Sequence, residues 1–370
     1  MSKSLVVCID GTWNRPDQKD TDPVTREVSG SATNVVRIWE AATGRAFGSA
    51  YYGRLAALKD GTGEAAYFDG VGSTGSHLVK TFEGGTGTGV SERVRDAYGY
   101  LASRWEPGDR IFLFGFSRGA YAVRSLAGFL HHAGLPSERR IVEEEEVDVL
   151  FLDYRKGKIP TGVKDGFVAA PVTLLGVWDT VGALAFGKEF NDFHRISPPN
   201  VMNFAHALAL DEVRKQFLPS FWNPMADGLP AGNTVVDEVW FSGVHSNVGG
   251  GYANRDLAEI TLNWMMGKAR ALGLDVGPTA PPGSPAGEIR SSYEEFWRGM
   301  GFVGDIVAKL KLEQVHRSVL ESQRVHESVG LRMAAVPGYA PAAMLMPAGT
   351  AFHQVEPSRV AAWDREPEKV

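Results

Sequence analysis

The chain has 370 residues, a formal net charge of -6 and a pI near 5.9, and 44% of its residues are hydrophobic. This composition predicts a globular protein with a substantial core, and the lack of a basic stripe excludes nucleic acid as the main partner. No run of about 18 apolar residues predicts a membrane span, and Asp10 interrupts the amino-terminal apolar run too early for a cleaved signal peptide. We therefore expect synthesis in the cytoplasm, and export by a route without a cleaved leader stays open. The sequence does not indicate an oligomeric state.

The predicted secondary structure alternates between strands and helices. The first apolar run contains the single cysteine, Cys8, which we expect to be a buried thiol in a reducing compartment. Five short apolar runs predict strands at Leu5–Ile9, Ala65–Phe68, Arg110–Phe114, Val172–Trp178 and Val235–Val244. Helical spacing predicts helices at 91–105, where Ser91 would be the N-cap, at 120–132 and at 256–272. The alternation predicts an α/β fold with a mostly parallel central sheet flanked by helices.

Two stretches interrupt this alternation. Residues 183–234 are rich in aromatic side chains and lie between two strands, where a plain crossover needs far fewer residues, so we predict a helical cap or lid. After a Pro/Gly-rich linker, the pattern predicts further helices at 291–300 and 306–329. The expected organisation is a catalytic domain over residues 1–275, followed by residues 276–370 as a linker and C-terminal helices packed on the same domain.

The segment Gly115-Phe116-Ser117-Arg118-Gly119 lies between the third predicted strand and a predicted helix. A serine between two glycines at such a junction is the nucleophile elbow of an α/β-hydrolase, because bulky side chains at the glycine positions would collide with the crossing strand and helix. The alternative is a structural serine that glycines bracket by chance. The order of strand, elbow and helix favours a nucleophile at Ser117.

A serine nucleophile needs a histidine base and a carboxylate that orients the histidine. In this fold the acid and then the histidine follow the serine, each at the carboxyl end of a later strand. Asp179 and His245 meet that requirement, whereas Asp192, Asp211 and Asp237 end no long apolar run. His194, His206, His316, His326 and His353 lie in the predicted cap or beyond the last strand. The alternative for Asp179 is that it caps the next helix.

The oxyanion hole is expected to use backbone N–H groups. The first donor is Arg118, directly after the nucleophile, and the second is Gly11 or Thr12 in the loop after the first strand. Alternatively this loop is a structural turn, in which the Asp10 side chain accepts the loop N–H groups and takes no part in the chemistry. The glycine-rich run Gly84–Gly89 lacks a Gly-Lys-Ser/Thr ending, which favours a loop near the site over a phosphate cradle.

Four motifs in order carry a family resemblance: Cys-Ile-Asp-Gly-Thr-Trp-Asn (8–14), the elbow motif Gly-Phe-Ser-Arg-Gly-Ala-Tyr (115–121), Val-Trp-Asp-Thr-Val-Gly (177–182) and Gly-Val-His-Ser-Asn-Val-Gly-Gly-Gly-Tyr (243–252). Together with residues 205–212, they resemble the α/β-hydrolase family that includes the catalytic domain of type VI secretion phospholipase effectors. The resemblance implies the triad Ser117, Asp179 and His245, and a lipid-like ester substrate met in transient contact with a membrane surface. One departure is Asn247, where that family would have an aspartate.

The sequence thus predicts a serine ester hydrolase of lipase or phospholipase type that works without a metal or other cofactor. Two alternatives stay open at this point. One is a non-catalytic binding protein on a hydrolase scaffold, since a fold does not fix a function. The other is hydrolysis of amides or of a polyester by the same triad.

Overall fold

The computed structural model describes residues 2–12, 14–21, 26, 28–47, 55–70, 88–156, 165–182, 196–224, 232–278, 280–290, 315–319 and 323–342. Within these ranges, eight strands form one central sheet: β1 (Ser4–Ile9), β2 (Leu55–Ala57), β3 (Gly63–Phe68), β4 (Arg110–Phe116), β5 (Val172–Trp178), β6 (Asn203–Ala209), β7 (Val235–Phe241) and β8 (Arg324–Val325). Their spatial order is β8-β7-β6-β5-β4-β1-β3-β2. Every neighbouring pair is parallel except β2 and β3.

The helices of the described residues are α1 (Asn34–Thr43), α2 (Thr88–Ala102), α3 (Arg118–Ala133), α4 (Glu144–Arg155), α5 (His245–Gly249), α6 (Asp256–Ala271) and α7 (Glu327–Ala335). A 3-10 turn spans Lys215–Phe217, and two short ribbons pair Lys19–Thr21 with Val28–Gly30 and Leu135–Pro136 with Phe167–Val168. No helix in the described part of the chain is long and apolar enough to cross a membrane.

The sheet is buried on both faces, which explains the continuous apolar runs of its central strands. In β1, Leu5, Val7 and Ile9 belong to one apolar core with residues of α2, α3 and α4. Val6 and Cys8 belong to the core on the other face, which includes residues of α1 and α6. A strand whose side chains alternate between two cores needs apolar residues at every position. The predicted α/β architecture, with helices on both sides of a mostly parallel sheet, is confirmed.

The prediction of a helical cap over residues 183–234 is wrong for its middle part. Residues Asn203–Ala209 form β6, a central strand between β5 and β7. Its sequence, Asn-Phe-Ala-His-Ala-Leu-Ala, is rich in a strong helix former and carries a polar histidine, so neither strand alternation nor a long apolar run marks it. The stretches 183–195 and 225–231 of the predicted cap lie outside the described residues.

Element ends and the carboxy-terminal helices also differ from the prediction. Helix α2 begins at Thr88, so Ser91 lies inside it and is not its N-cap. In place of a helix over 306–329, residues 315–319 are irregular, β8 adds an edge strand, and a helix begins only at Glu327. Residues Arg324 and Val325 pair with β7, so their backbone hydrogen bonds go to a neighbouring strand and not to a helix. A helical spacing of side chains does not reveal such a partner. The predicted helix at 291–300 and the run Gly84–Gly87 lie outside the described residues.

Candidate active site

The parallel strands bring their carboxyl ends to one edge of the sheet. Ser117 directly follows β4 and Asp179 directly follows the neighbouring strand β5. His245 lies four residues after the end of β7. Ligand sites of open α/β sheets form at this edge because the loops after several strands converge there. The three side chains predicted from the sequence therefore lie on one edge of the fold.

Ser117 occupies a strained turn between β4 and α3. Its φ of 59° and ψ of -124° are a backbone conformation that residues with a side chain rarely adopt. A Cβ at Gly115 would lie 2.5 Å from the carbonyl oxygen of Gly119, and a Cβ at Gly119 would lie 2.2 Å from that of Ile9. Both glycines are therefore required by the close approach of α3 to the elbow and to β1.

The carboxylate of Asp179 is completely buried and is bound from several directions. Its Oδ2 atom accepts a hydrogen bond from Nδ1 of His245 at 2.6 Å, and its Oδ1 atom accepts one from the backbone N–H of Ala209 at 3.1 Å. The remaining described donors come from Arg317. None of these described donors is a backbone N–H of residues 180–182, so within the described part of the chain Asp179 does not cap a helix.

Arg317 is a site residue that the sequence did not reveal. Its Nη1 and Nη2 atoms lie 2.6 Å and 2.9 Å from the two carboxylate oxygens of Asp179, which makes a two-pronged ion pair. Burial favours the protonated acid, but the charges and hydrogen bonds of Arg317 and His245 outweigh it and hold the pKa of Asp179 well below its usual value. Asp179 is therefore ionised at any working pH.

His245 is held so that one ring nitrogen stays open. The ring centroid lies 4.5 Å from that of Phe116 and 4.8 Å from that of Phe217. Because Nδ1 donates to Asp179, Nε2 carries the lone pair, and this buried atom has no hydrogen-bond partner among the described residues. Burial lowers the pKa of His245 below its ordinary value, against the opposing effect of Asp179. The neutral imidazole is thus poised to accept a proton at Nε2.

A second buried ion pair supports the loop of His245. Glu212 accepts two hydrogen bonds from the guanidinium of Arg214, at 2.8 Å and 2.7 Å, and its Oε2 atom accepts the backbone N–H of His245 at 3.2 Å. Burial opposes ionisation of Glu212, but Arg214 lowers its pKa to about 2. This carboxylate therefore anchors the start of α5 as a permanent anion, and its charge is balanced by Arg214.

The loop after β1 does not supply the oxyanion donor expected at Gly11. The Gly11 N–H donates to Oδ1 of Asp10 at 2.7 Å, and Asp10 also accepts the hydroxyls of Thr33 at 2.8 Å and Tyr67 at 2.7 Å. The alternative in which Asp10 orders this loop describes the structure, because a short aspartate binds the N–H that follows it. A Cβ at Gly11 would lie 3.2 Å from the Cβ of Ser117, so the loop backs directly onto the elbow.

The competing aspartates and histidines have other contacts. Asp211 accepts the backbone N–H of Gly243, and Asp237 lies 2.6 Å from the ammonium of Lys268. His206, in β6, accepts the backbone N–H of Thr180 at 3.0 Å through Nε2. His316 is exposed, and His326 caps α7 by accepting a backbone N–H. Asp192, His194 and His353 lie outside the described residues.

Asn247 replaces the expected aspartate within α5. Its Oδ1 atom accepts the backbone N–H of Val244 at 3.2 Å, and its Nδ2 atom donates to the carbonyl oxygen of Glu288 at 3.1 Å. The amide uses both its acceptor and its donor, whereas a carboxylate has no donor for a carbonyl oxygen. Asn247 thus orders the turn that carries His245.

Comparison with known proteins gives weak relationships at the level of whole chains. An uncharacterized protein of Saccharomyces cerevisiae is 28% identical over 170 residues, which are 42% of this chain and 20% of that protein. The structure of an uncharacterized protein from Pseudomonas aeruginosa is 19% identical with a TM-score of 0.47, over 74% of this chain and 46% of that one. The Tle1 effector bound to the VgrG spike of the type 6 secretion system is 18% identical with a TM-score of 0.34, over 68% and 52%.

The chain thus spans about half the length of these solved structures, and it matches only a fifth of the length of the yeast relative. A family model describes a larger part of the chain than the yeast match does. The model of the T6SS phospholipase effector Tle1-like catalytic domain matches residues 3–268, a range that includes Ser117, Asp179 and His245. The chain therefore belongs to the Tle1-like catalytic domain family of type VI secretion phospholipase effectors.

Proposed function

We propose that this chain is a serine-dependent carboxylic ester hydrolase of phospholipase type, with Ser117 as nucleophile, His245 as base and Asp179 as acid. The observation that carries the proposal is the Asp179–His245 hydrogen bond of 2.6 Å, which leaves the buried Nε2 atom open at the sheet edge where the strained elbow presents Ser117. A histidine used only for structure would have its second nitrogen satisfied when buried. Membership of a phospholipase effector family supports the ester-cleaving reading.

The proposed reaction has two halves. The Ser117 hydroxyl oxygen attacks the ester carbonyl while Nε2 of His245 takes its proton, and collapse of the tetrahedral intermediate breaks the C–O bond and releases the alcohol with that proton. An acyl group is then bound to Ser117. Water attacks this acyl-enzyme with His245 again as base, which releases the carboxylic acid and restores the serine.

The electrostatics of the pair suit both proton transfers. His245 is neutral near pH 7 because burial lowers its pKa, so it can accept the serine proton. The Asp179 carboxylate, whose pKa is held low, then stabilises the imidazolium that forms. The rings of Phe116 and Phe217 beside the imidazole keep water away from the pair, which strengthens this charge interaction.

The negative charge of the tetrahedral intermediate needs backbone donors. We assign the first to the N–H of Arg118, the first residue of α3, because the leading N–H groups of a helix point out of its amino end. The second is assigned to the N–H of Thr12, since that of Gly11 is bound to Asp10. Arg118 directly follows Ser117, and Thr12 directly follows Gly11, which lies against the elbow.

The family supports a phospholipid acyl ester as substrate, met in transient contact with a lipid surface. The catalytic domain is assigned to residues 1–275, with residues 276–370 as a linker and a C-terminal part packed on the same domain. That packing is supported by β8, which pairs with β7 at the sheet edge.

The test compares wild type with Ser117→Ala on p-nitrophenyl butyrate and on phosphatidylcholine vesicles. Ser125→Ala, which alters another buried serine of α3, is the matched control. We expect Ser117→Ala to abolish ester cleavage and Ser125→Ala to retain it, with fatty acid and lysolipid as the vesicle products. A folded wild type that cleaves no ester would favour a binding protein, and cleavage confined to amides or polyesters would reassign the substrate.

A further inference from the structure

A segment outside the family match reaches into the triad. The family model ends at residue 268, whereas residues 315–319 pack against the carboxyl edge of the sheet. The Val315 N–H donates to the carbonyl oxygen of Val213 at 2.9 Å, which fixes this segment beside the loop after β6. Two residues further on, the side chain of Arg317 is 1% exposed, and its guanidinium faces Asp179. Sequence distance is large here, since 138 residues separate the two partners.

We propose that Arg317 is a positioning residue of the hydrolase, which fixes the orientation of the catalytic acid Asp179 and thereby sets the basicity of His245. This inference rests on the proposed function, because it assigns Asp179 and His245 their roles. It extends the site to a residue that the family match does not include.

Geometry supports positioning because the guanidinium holds both oxygens of one carboxylate. The two N–O contacts, 2.6 Å and 2.9 Å, fix the carboxylate plane, as a planar fork does and a single point charge does not. The plane so fixed directs Oδ2 at Nδ1 of His245. Without the fork, one described donor would remain for each oxygen, the Ala209 N–H for Oδ1 and His245 for Oδ2, and the carboxylate would be less firmly fixed.

The same guanidinium also donates to two backbone carbonyl oxygens near His245. Its Nη1 atom donates to the carbonyl oxygen of Ala209 at 2.7 Å, at the end of β6, and its Nη2 atom donates to the carbonyl oxygen of Phe217. The ring of Phe217 packs edge-on against His245. Arg317 therefore contacts Asp179, the end of β6 and the backbone of Phe217, whose ring packs against His245.

Charge gives Arg317 its second effect. In the described part of the chain, the charged groups that face His245 are Asp179 after β5, and Glu212 and Arg214 after β6, of which the last two neutralise each other. Arg317 balances the Asp179 charge while His245 is neutral, so the resting site holds no uncompensated buried carboxylate. It also weakens the attraction of Asp179 for a proton on His245, which keeps the base neutral and lets the imidazolium give its proton to the leaving alcohol.

The experiment uses the full chain with Arg317→Met and Arg317→Lys, and it measures kcat/KM for p-nitrophenyl butyrate as a function of pH. We expect Arg317→Met to lower kcat/KM about 100-fold, because a misplaced catalytic group costs about that much. The acidic limb of its kcat/KM profile, where activity falls as His245 becomes protonated, should move up by about one pH unit. Without the positive charge of Arg317, the Asp179 carboxylate makes the Asp179–His245 pair bind a proton more tightly. Arg317→Lys, which keeps the charge but not the fork, should lose rate with a smaller shift.

The matched control is Arg332→Met in α7. Arg332 is a buried arginine of the same carboxy-terminal region that donates to the carbonyl oxygens of Pro285 and Gly287, both at 2.6 Å, without contact to the triad. A loss of packing alone would lower the active fraction of both Met variants and leave the acidic limb in place. A shift of the acidic limb in Arg317→Met but not in Arg332→Met therefore distinguishes a positioning role of Arg317 from a contribution to stability alone.

Wild-type kcat/KM and an unmoved acidic limb in folded Arg317→Met would overturn the inference. If that variant does not fold, Arg317→Lys decides, together with the proton NMR signal of the His245 Nδ1–H, which should shift in the Lys variant. An unchanged profile and signal in Arg317→Lys would reject the role. Failure of the proposed function is distinguishable, because the wild type would then cleave no ester at any pH.

Discussion

Two buried aspartates follow the strands on either side of β4, the strand that leads into Ser117. Asp10 follows β1 and Asp179 follows β5. Among the described residues, the donors to Asp10 are neutral, one backbone N–H and two hydroxyls, and burial raises its pKa to about 6. Asp179 is just as buried, but Arg317 and His245 hold its pKa below the usual value. Burial raises the pKa of a carboxylate and a charged partner lowers it again, so the Asp179 carboxylate is the more strongly held in its charged form, as the proposed acid requires.

The largest expected effect comes from removing the charge of Asp179. Asp179→Asn should lower kcat for p-nitrophenyl butyrate by about 10⁴-fold, because an amide cannot stabilise the imidazolium and favours the wrong histidine tautomer. Steady-state kinetics with Asp237→Asn as control measures this, since Asp237 forms ion pairs with Lys268 and Arg324 away from the triad. A loss of the same size in both variants would contradict the special role of Asp179.

A smaller effect is expected on the Asp10 side of the elbow. In Gly11→Ala the new methyl group would lie 2.6 Å from Oδ1 of Asn14, 3.0 Å from the Phe116 ring and 3.2 Å from the Cβ of Ser117, so the Asn14 side chain and the elbow would have to shift. We expect kcat to fall about 100-fold. Gly267→Ala in α6, where nothing lies within 4 Å of the added carbon, is the control and should keep full activity. Equal activity of the two variants would refute the close approach at Gly11.

The pH dependence of wild type sharpens the same comparison. The proposed reaction needs neutral His245, whose pKa is lowered from 6.5 by burial. We expect kcat/KM to be constant near pH 7 and to fall tenfold per pH unit only below an apparent pKa under 6.5. An acidic limb above pH 7 would indicate that the imidazolium is favoured over the neutral ring in the free enzyme.

The smallest expected effect concerns stability through Asp10. The folded-state pKa of about 6 lies above the ordinary 3.8, so protonation of Asp10 stabilises the fold at low pH, and this stabilisation is lost as the pH rises through about 6. Between pH 5 and 7 the free energy of unfolding of wild type should fall by about 1 kcal/mol relative to Asp10→Asn. Urea titrations of both proteins at the two pH values measure the difference, and parallel curves would contradict it.

The sequence predicts the fold where burial leaves a simple pattern. Strands β1, β4 and β5 are buried on both faces, and their unbroken apolar runs marked them. Strand β6 is equally buried, but its alanines and His206 do not form a pattern typical of a buried strand. His206 can be buried there because its two ring nitrogens are hydrogen-bonded to the Thr180 N–H and to Glu238. Such compensation depends on neighbours distant in sequence, which a local pattern does not contain.

The candidate site divides in the same way. Ser117, Asp179 and His245 were found from strand ends and chain order, which are local features with a mechanical reason. Arg317 stands in the run Val315-His316-Arg317-Ser318-Val319, which has no motif, and an arginine is ordinarily a surface residue. For the loop after β1, the sequence left two alternatives open, and the structure shows the one in which the side chain of Asp10 accepts the Gly11 N–H. Partners of this kind are fixed only when the chain is folded.

Covalent labelling tests whether Ser117 is a nucleophile that His245 activates. A fluorophosphonate probe forms a stable bond with a serine only when a base activates the hydroxyl, and peptide mass spectrometry locates the modified residue. We predict about one label per folded chain, on Ser117, and none in His245→Ala. An unlabelled folded wild type, or a label on another serine that persists in Ser117→Ala, would contradict it.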